Sequence, residues 1–238
     1  MDVRDAGSYT GRVADMTFTW WSRLGECIVA SAALLLLTSW TPSLSSTQSS
    51  STKSPRASNA VILDVSDSTA QTTRIRKRKL IESLQRLVQN YDESQYYLIG
   101  VSTTPTIILD NSIDEYTVSR EISKLLSKRR EGGTALYDAC YLGIERLKQT
   151  TFAKRNLIVV SDGIDTMSVK SLRDVENALS DNNVRLYAIA VPTQIELTHK
   201  GIRTLNALAS ASGGLSFYPT KSEDLDAIVD NVLAELKK

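Results

Sequence analysis

Three loops in this sequence carry side chains suited to holding a hard cation. The first is Asp64-Val65-Ser66-Asp67-Ser68, directly after the apolar run Ala60-Val61-Ile62-Leu63. The second presents Thr134, behind the paired glycines Gly132 and Gly133. The third presents Asp162, after the apolar run that ends at Val160. Alternation along an extended segment puts Asp64, Ser66 and Ser68 on one side of the chain. Asp64, Ser66, Ser68, Thr134 and Asp162 together offer carboxylate and hydroxyl oxygens only. Such a set suits Mg²⁺ or Mn²⁺ and suits zinc or copper poorly. The chain has 1 histidine, His199, which excludes a zinc site built on several histidines. Its two cysteines, Cys27 and Cys140, are too few for a disulfide framework and lack metal-type spacing.

The elements around these loops alternate. Ala60 to Leu63 reads as a strand buried on both faces. Leu80, Leu84, Leu87, Val88 and Tyr91 recur at helical spacing. Tyr96 to Val101 and Thr106 to Leu109 read as strands joined by a turn at Thr104-Pro105, so this pair must be antiparallel. Ser112 to Glu115 has capping-box spacing and opens a helix with Val118, Ile122, Leu125 and Leu126 on one face. After the glycine loop comes a helical stripe of Leu136, Ala139, Cys140, Gly143, Ile144 and Leu147. Asn156 to Val160 is a strand, a helix is expected from about Val169, and Val184 to Val191 is a strand. A helix from near Ile202 to Ser212 stops at Gly213-Gly214. Phe217-Tyr218 closes a last strand. Leu225, Ile228, Val229, Val232, Leu233 and Leu236 stripe a final helix. This alternation predicts a Rossmann-like, doubly wound α/β fold. Its sheet is mostly parallel with one antiparallel edge strand, and helices cover both faces. Ligands of such sheets bind at the carboxyl ends of the strands, at the topological switch point, which is where the three loops fall.

Asp-x-Ser-x-Ser, a distant Thr and a later Asp resemble the metal-ion-dependent adhesion site of von Willebrand factor A domains. The resemblance covers about residues 58–238. It also takes in Gly-Gly-Thr-Ala-Leu-Tyr-Asp-Ala, Ile-Val-Val-Ser-Asp-Gly and Leu-Ala-Ser-Ala-Ser-Gly-Gly-Leu-Ser-Phe. With an export signal in front, the chain is similar to the von Willebrand factor A-related proteins of acidobacteria. The resemblance implies that Ser66, Ser68 and Thr134 bind the metal through their hydroxyls. Asp64 and Asp162 would then act through bound waters and by orienting those hydroxyls. Neutral ligands leave the cation under-neutralised, so a partner protein's Asp or Glu carboxylate is expected to complete it. The resemblance thus implies adhesion or assembly and no catalysis, with a scaffold carrying a vestigial site as the alternative. The last helix resembles the one that slides when related adhesion domains switch affinity. With the chain ending at Lys238, no switch pulled through the C-terminus is expected.

Other features weigh less. The formal net charge of +1 argues against a nucleic-acid binder. No Gly-x-Gly-x-x-Gly follows the first strand, which removes a dinucleotide site. A phosphatase of the haloacid dehalogenase type needs an acid two residues after Asp64, where Ser66 stands. The basic run Arg74 to Lys79 reads as a solvated helix face, or else as a contact to an acidic partner, phosphate or lipid surface. Cys140 reads as core, His199 as an exposed loop residue, and Asp67 and Asp165 as solvated or as tuning the site.

Residues 1–45 read as a signal peptide or an uncleaved signal anchor. The apolar run Cys27 to Leu37 is short for a bilayer span, Arg23 precedes it, and cleavage after Ser45 is one outcome. Residues 1–15 are long and polar for a signal, so translation from Met16 is a further expectation. Residues 46–57 read as a Ser/Thr-rich linker, leaving residues 58–238 as the folded domain. The expected location is periplasmic, secreted, or anchored on the outer side of the inner membrane.

Overall fold

The computed structural model describes residues 57–70, 73–91, 94–128, 132–191 and 197–238, excepting the side chains of Ser68 and Ala70. The expected export segment, residues 1–45, and the stretch up to residue 56 lie outside the described residues. Short apolar runs, too brief for helices and buried on both faces, build the four inner strands of the sheet, and partly exposed strands close its two edges. Its strands are β1 (Ala57–Asp64), β2 (Ser94–Val101), β3 (Pro105–Ser112), β4 (Lys154–Ser161), β5 (Arg185–Ala190) and β6 (Leu215–Phe217). They lie in the order β3-β2-β1-β4-β5-β6. Every neighbouring pair is parallel except β2 with β3, which makes β3 the antiparallel edge strand the sequence predicts. The strand order reverses between β1 and β4. Leu63 pairs with Gly100 on one side and Val160 on the other, so these strands end level and open one crevice.

Helices α1 (Asp67–Ala70), α2 (Arg74–Gln89), α3 (Glu115–Ser127), α4 (Leu136–Lys148), α5 (Leu172–Asp181), α6 (His199–Ala211) and α7 (Asp224–Leu236) complete the described elements. The period-2 alternation of the strands divides the core in two. Val61, Leu63, Ile158, Val160 and Ile189 face the apolar stripes of α2, α3 and α7. Ala60, Ile62, Leu157, Val159 and Ala188 face those of α4, α5 and α6, where Cys140 is fully buried as expected. Each fully buried leucine in these layers contributes about 1.5–3 kcal/mol. Between α2 and α7, Asp226 takes hydrogen bonds from Lys79 at 2.5 Å and Ser83 at 3.2 Å. Arg78 pairs with Glu82 at 3.4 Å on an exposed face. The basic run is therefore divided between helix packing and solvent. Among the described residues no helix is long and apolar enough to cross a membrane.

Four local expectations change. β3 continues to Ser112, which pairs with Tyr96 and whose hydroxyl accepts from the Asp114 amide at 3.3 Å, so Ser112 stays extended ahead of α3 and is not its cap. Asp114 caps it instead, accepting from the Tyr116 amide at 3.2 Å. The helix expected from Val169 begins at Leu172, behind a complete Ser171–Asp174 capping box. His199 is exposed but opens α6 and is not in a loop. Ser68 lies in the short helical turn α1, so no extended segment carries Asp64, Ser66 and Ser68 together.

Candidate metal centre

Asp64 ends β1, and one more ladder bond, from the Val65 amide to the Val101 carbonyl at 2.9 Å, holds the chain straight just beyond it. The chain then turns into α1. Asp64 is 3% exposed. Its Oδ1 accepts from the Ser66 amide at 3.0 Å, and its Oδ2 accepts from the Ser161 hydroxyl at 2.6 Å. The Ser66 side chain also bonds to it. The Thr69 hydroxyl lies 3.0 Å from the carbonyls of both Asp64 and Ser66, which pins the turn from inside. Burial raises the Asp64 carboxyl to about 6, the Ser161 and Ser66 donors oppose that rise, and the nearby Asp162 charge adds to it.

Asp162 follows β4 and is also buried. Its Oδ1 accepts from the Ile164 amide at 2.9 Å, closing a tight turn. Gly163, at φ 78°, passes against the first turn of α6. A Cβ on Gly201 would lie 2.1 Å from the Asp162 carbonyl oxygen, and one on Gly163 2.4 Å from the Gly201 oxygen. The Asp162 turn therefore seats backbone to backbone on α6, and only glycine fits on either side.

Thr134 is buried, and its backbone is clamped from across the site. Its amide donates to the Thr166 hydroxyl at 2.9 Å, and its carbonyl accepts from the Thr166 and Met167 amides at 2.9 and 3.0 Å. The glycine loop is joined to the first loop by the Asp67 amide, 3.4 Å from the Gly132 carbonyl. The three loops of the sequence analysis are thus tied to one another at the switch point. Asp64 is bonded to Ser66 and feels the charge of Asp162, Thr134 is held on the adjoining loop, and the Ser68 side chain lies outside the described residues.

Asp165 is not a loosely solvated loop residue. It accepts from the Tyr137 amide at 3.2 Å and the Ser168 hydroxyl at 2.6 Å, capping α4, whose own N-cap Ala135 has no side-chain oxygen. Sequence reasoning missed Ser161, Thr69, Thr166 and Gly201. Ser161 had a signal, since it stands between the apolar strand and Asp162. Thr166 had none, because its partner is 32 residues away.

The donor set fits a hard divalent ion. Two buried carboxylates lie close enough to repel, and among the described residues neither makes an ion pair. Nor do three or more His, Cys, Asp or Glu side chains gather anywhere among the described residues. An ion here has to be held by hydroxyls beside the carboxylates. The sequence pattern of the von Willebrand factor type A domain matches residues 60–231. The chain belongs to this family. Domains of the family often serve protein interaction or adhesion. Solved structures share the fold of this von Willebrand factor A domain at low identity. BatB from Bacteroides thetaiotaomicron is 15% identical with a TM-score of 0.61, covering 76% of this chain and 100% of its own. Proximal thread matrix protein 1 of the mussel byssus is 19% identical with a TM-score of 0.60, over 75% of this chain and 45% of its own. The pilus adhesin SpaC of Lactobacillus rhamnosus GG, in its open conformation, is 11% identical with a TM-score of 0.59, over 77% of this chain and 30% of its own. No curated protein matches the sequence.

Proposed function

We propose that this domain is a divalent-metal-dependent protein-binding module, serving adhesion or assembly outside the cytoplasm, and not an enzyme. The observation that carries this reading is Asp64: a buried carboxylate, oriented by Ser66 and Ser161 and set beside Asp162 at the switch point. Ser66, Ser68 and Thr134 would hold Mg²⁺ or Mn²⁺ through hydroxyl oxygens, while Asp64 and Asp162 would orient those hydroxyls and bound water. The ion, when bound, supplies an under-neutralised positive charge that a partner's Asp or Glu carboxylate completes. The rest is done by the chain, which keeps the loops fixed so that binding costs little ordering. A phosphatase is disfavoured because Ser66, where such an enzyme places its acid, is engaged with Asp64. Support for an exported location comes from the apolar run Cys27 to Leu37 and from similar folds in a pilus adhesin, a thread matrix protein and an aerotolerance-related membrane protein of Bacteroides fragilis.

The test is calorimetric titration of Mg²⁺ and Mn²⁺ into the full chain, beside an Asp64→Ala variant. Saturable binding that the variant loses is the expected result. A folded wild type that takes up neither ion would refute the metal-dependent reading and leave a scaffold.

A further inference from the structure

Two basic runs, Arg74 to Lys79 and Lys128 to Arg130, lie far apart in the chain. The fold brings one lysine of each to a single hollow at the carboxyl end of the sheet. Lys77, in the first turn of α2, and Lys128, just past α3, line it together with Val65, Leu80, Leu126 and Val191. The four apolar residues are buried and the lysines are not, so the hollow has an apolar floor and a cationic rim. A second hollow shares Leu80 and Val191, adds Leu225 to the floor, and is rimmed by Arg76 and Lys221. The two therefore adjoin as one cleft.

The charges of this rim are largely unanswered. Lys79 is held by Asp226 and Arg78 by Glu82, whereas Arg76, Lys77 and Lys128 make no ion pair with another described residue. Lys221 acts on Asp224, whose carboxylate is taken up by the Thr220 and Lys221 amides. Among the described residues lining the cleft the sole acid is Asp64, buried at one corner and bonded to Ser66 and Ser161. Nor do the cations serve their own helix. The first turn of α2 has no acid, and positive side chains there oppose the helix dipole. An anion seated in the cleft would answer both the rim and the amino end of α2.

We propose that this cleft is a second docking site, for an acidic protein segment that seats an aliphatic side chain on Leu80 and Val191 and lays its flanking carboxylates on Arg76, Lys77, Lys128 and Lys221. Charge complementarity makes the occupant acidic. The apolar floor makes it a segment with a hydrocarbon side chain, because a bare anion on the rim would leave that floor in water. The recess of the floor between the cations disfavours a lipid surface, whose headgroups would meet the lysines and leave the floor uncovered. The contact needs no metal ion, so it stands or falls apart from the metal-dependent reading.

The experiment measures fluorescence anisotropy of labelled peptides with the full chain in chelator. The probes are Glu-Glu-Leu-Leu-Glu-Glu and the same peptide with Ser-Ser at its centre. The proteins are the wild type, Lys77→Gln/Lys128→Gln, and a control, Lys237→Gln/Lys238→Gln, that removes the same charge beyond the far end of α7. Saturable binding of the leucine peptide that weakens with added salt is expected. The serine peptide should bind about 10-fold more weakly, as should the leucine peptide to the Lys77/Lys128 variant, with the control unchanged. No binding, equal binding of the two peptides, or equal loss in the control would overturn the site. Binding that appears only when Mg²⁺ replaces chelator would move the peptide to the metal centre, overturning this site and supporting the metal-dependent reading. Phosphatidylglycerol vesicles are titrated in parallel, and vesicle binding lost in the Lys77/Lys128 variant without peptide binding would assign the cations to a lipid surface and overturn the segment proposed here.

Discussion

Asp64 is held above the usual carboxylate range although Ser161 and Ser66 both donate to it, because burial and the Asp162 charge outweigh those donors. In the metal-free chain the native state therefore binds this proton more tightly than the unfolded state. Native binding exceeds unfolded binding between the ordinary value near 4 and the raised value of about 6. Stability from this group is thus complete below about pH 4, falls as pH rises to about 6, and stays low above. Asp64→Asn keeps an acceptor for the Ser66 amide and discards the buried charge. We predict that in chelator above pH 7 this variant melts higher than the wild type, by the equivalent of roughly 2–3 kcal/mol, and that it no longer binds Mg²⁺. Thermal melts of both proteins from pH 4 to 8 decide it, since an Asn variant that melts no higher at pH 8 removes the strained-charge argument. The candidate ligands were legible at this scale, because Asp64, Ser66 and Asp162 announce themselves by type beside apolar runs. The hydroxyls that brace their loops were not. A hydroxyl such as Thr69 or Thr166 looks like any loop hydroxyl until the fold gives it a partner.

Elements were readable where one periodicity ran uninterrupted. The stripes of α4 and α7 are buried residue for residue as the sequence predicts. Reading failed at junctions, where two local signals compete for the same residues. Ser112 has the spacing of a cap, but it stays extended in the ladder, and Asp114 caps the helix. Val169 opens a plausible helical run, but Asp138 takes its amide and that of Lys170, and the helix waits for Ser171. The contact of α6 with the Asp162 turn belongs to this scale too, because it sets one loop by the position of a whole helix. Thr198 caps α6 by accepting from the Gly201 amide at 3.0 Å, which brings Gly201 flat against the turn. A methyl group there meets the Asp162 carbonyl and not a side chain that can swing away. We predict that Gly201→Ala folds but displaces Asp162, weakening Mg²⁺ binding about 10-fold or more, within the range seen when residues supporting metal ligands are lost. Calorimetry on a variant whose circular dichroism matches the wild type is the check, and unchanged affinity would mean the turn relaxes without moving the carboxylate.

For the whole molecule, alternating strands and helices dictate a parallel sheet covered on both faces, and the tight turn at Thr104-Pro105 dictates an antiparallel edge. The lateral order of the strands is a different kind of fact. Nothing in the local pattern says that the chain returns across β1 to lay β4 beside it, yet that return brings loops about 30 and 70 residues apart to one crevice. The crevice gathers buried acids that repel one another, so an ion bound there would act on the fold as a unit. A ligand that binds only the native state stabilises it by about 2.7 kcal/mol at 100 times its dissociation constant. For a domain of this size that is a rise in melting temperature of roughly 5–10 °C. We predict such a shift when Mg²⁺ is added to the chelator-treated chain, and its absence in Asp64→Asn. The wild-type shift should shrink as pH falls below about 6, where the proton on Asp64 competes with the ion. A shift that persisted in the Asn variant would place the stabilising ion elsewhere on the surface. A shift insensitive to acid would mean that the ion does not depend on the charge of Asp64.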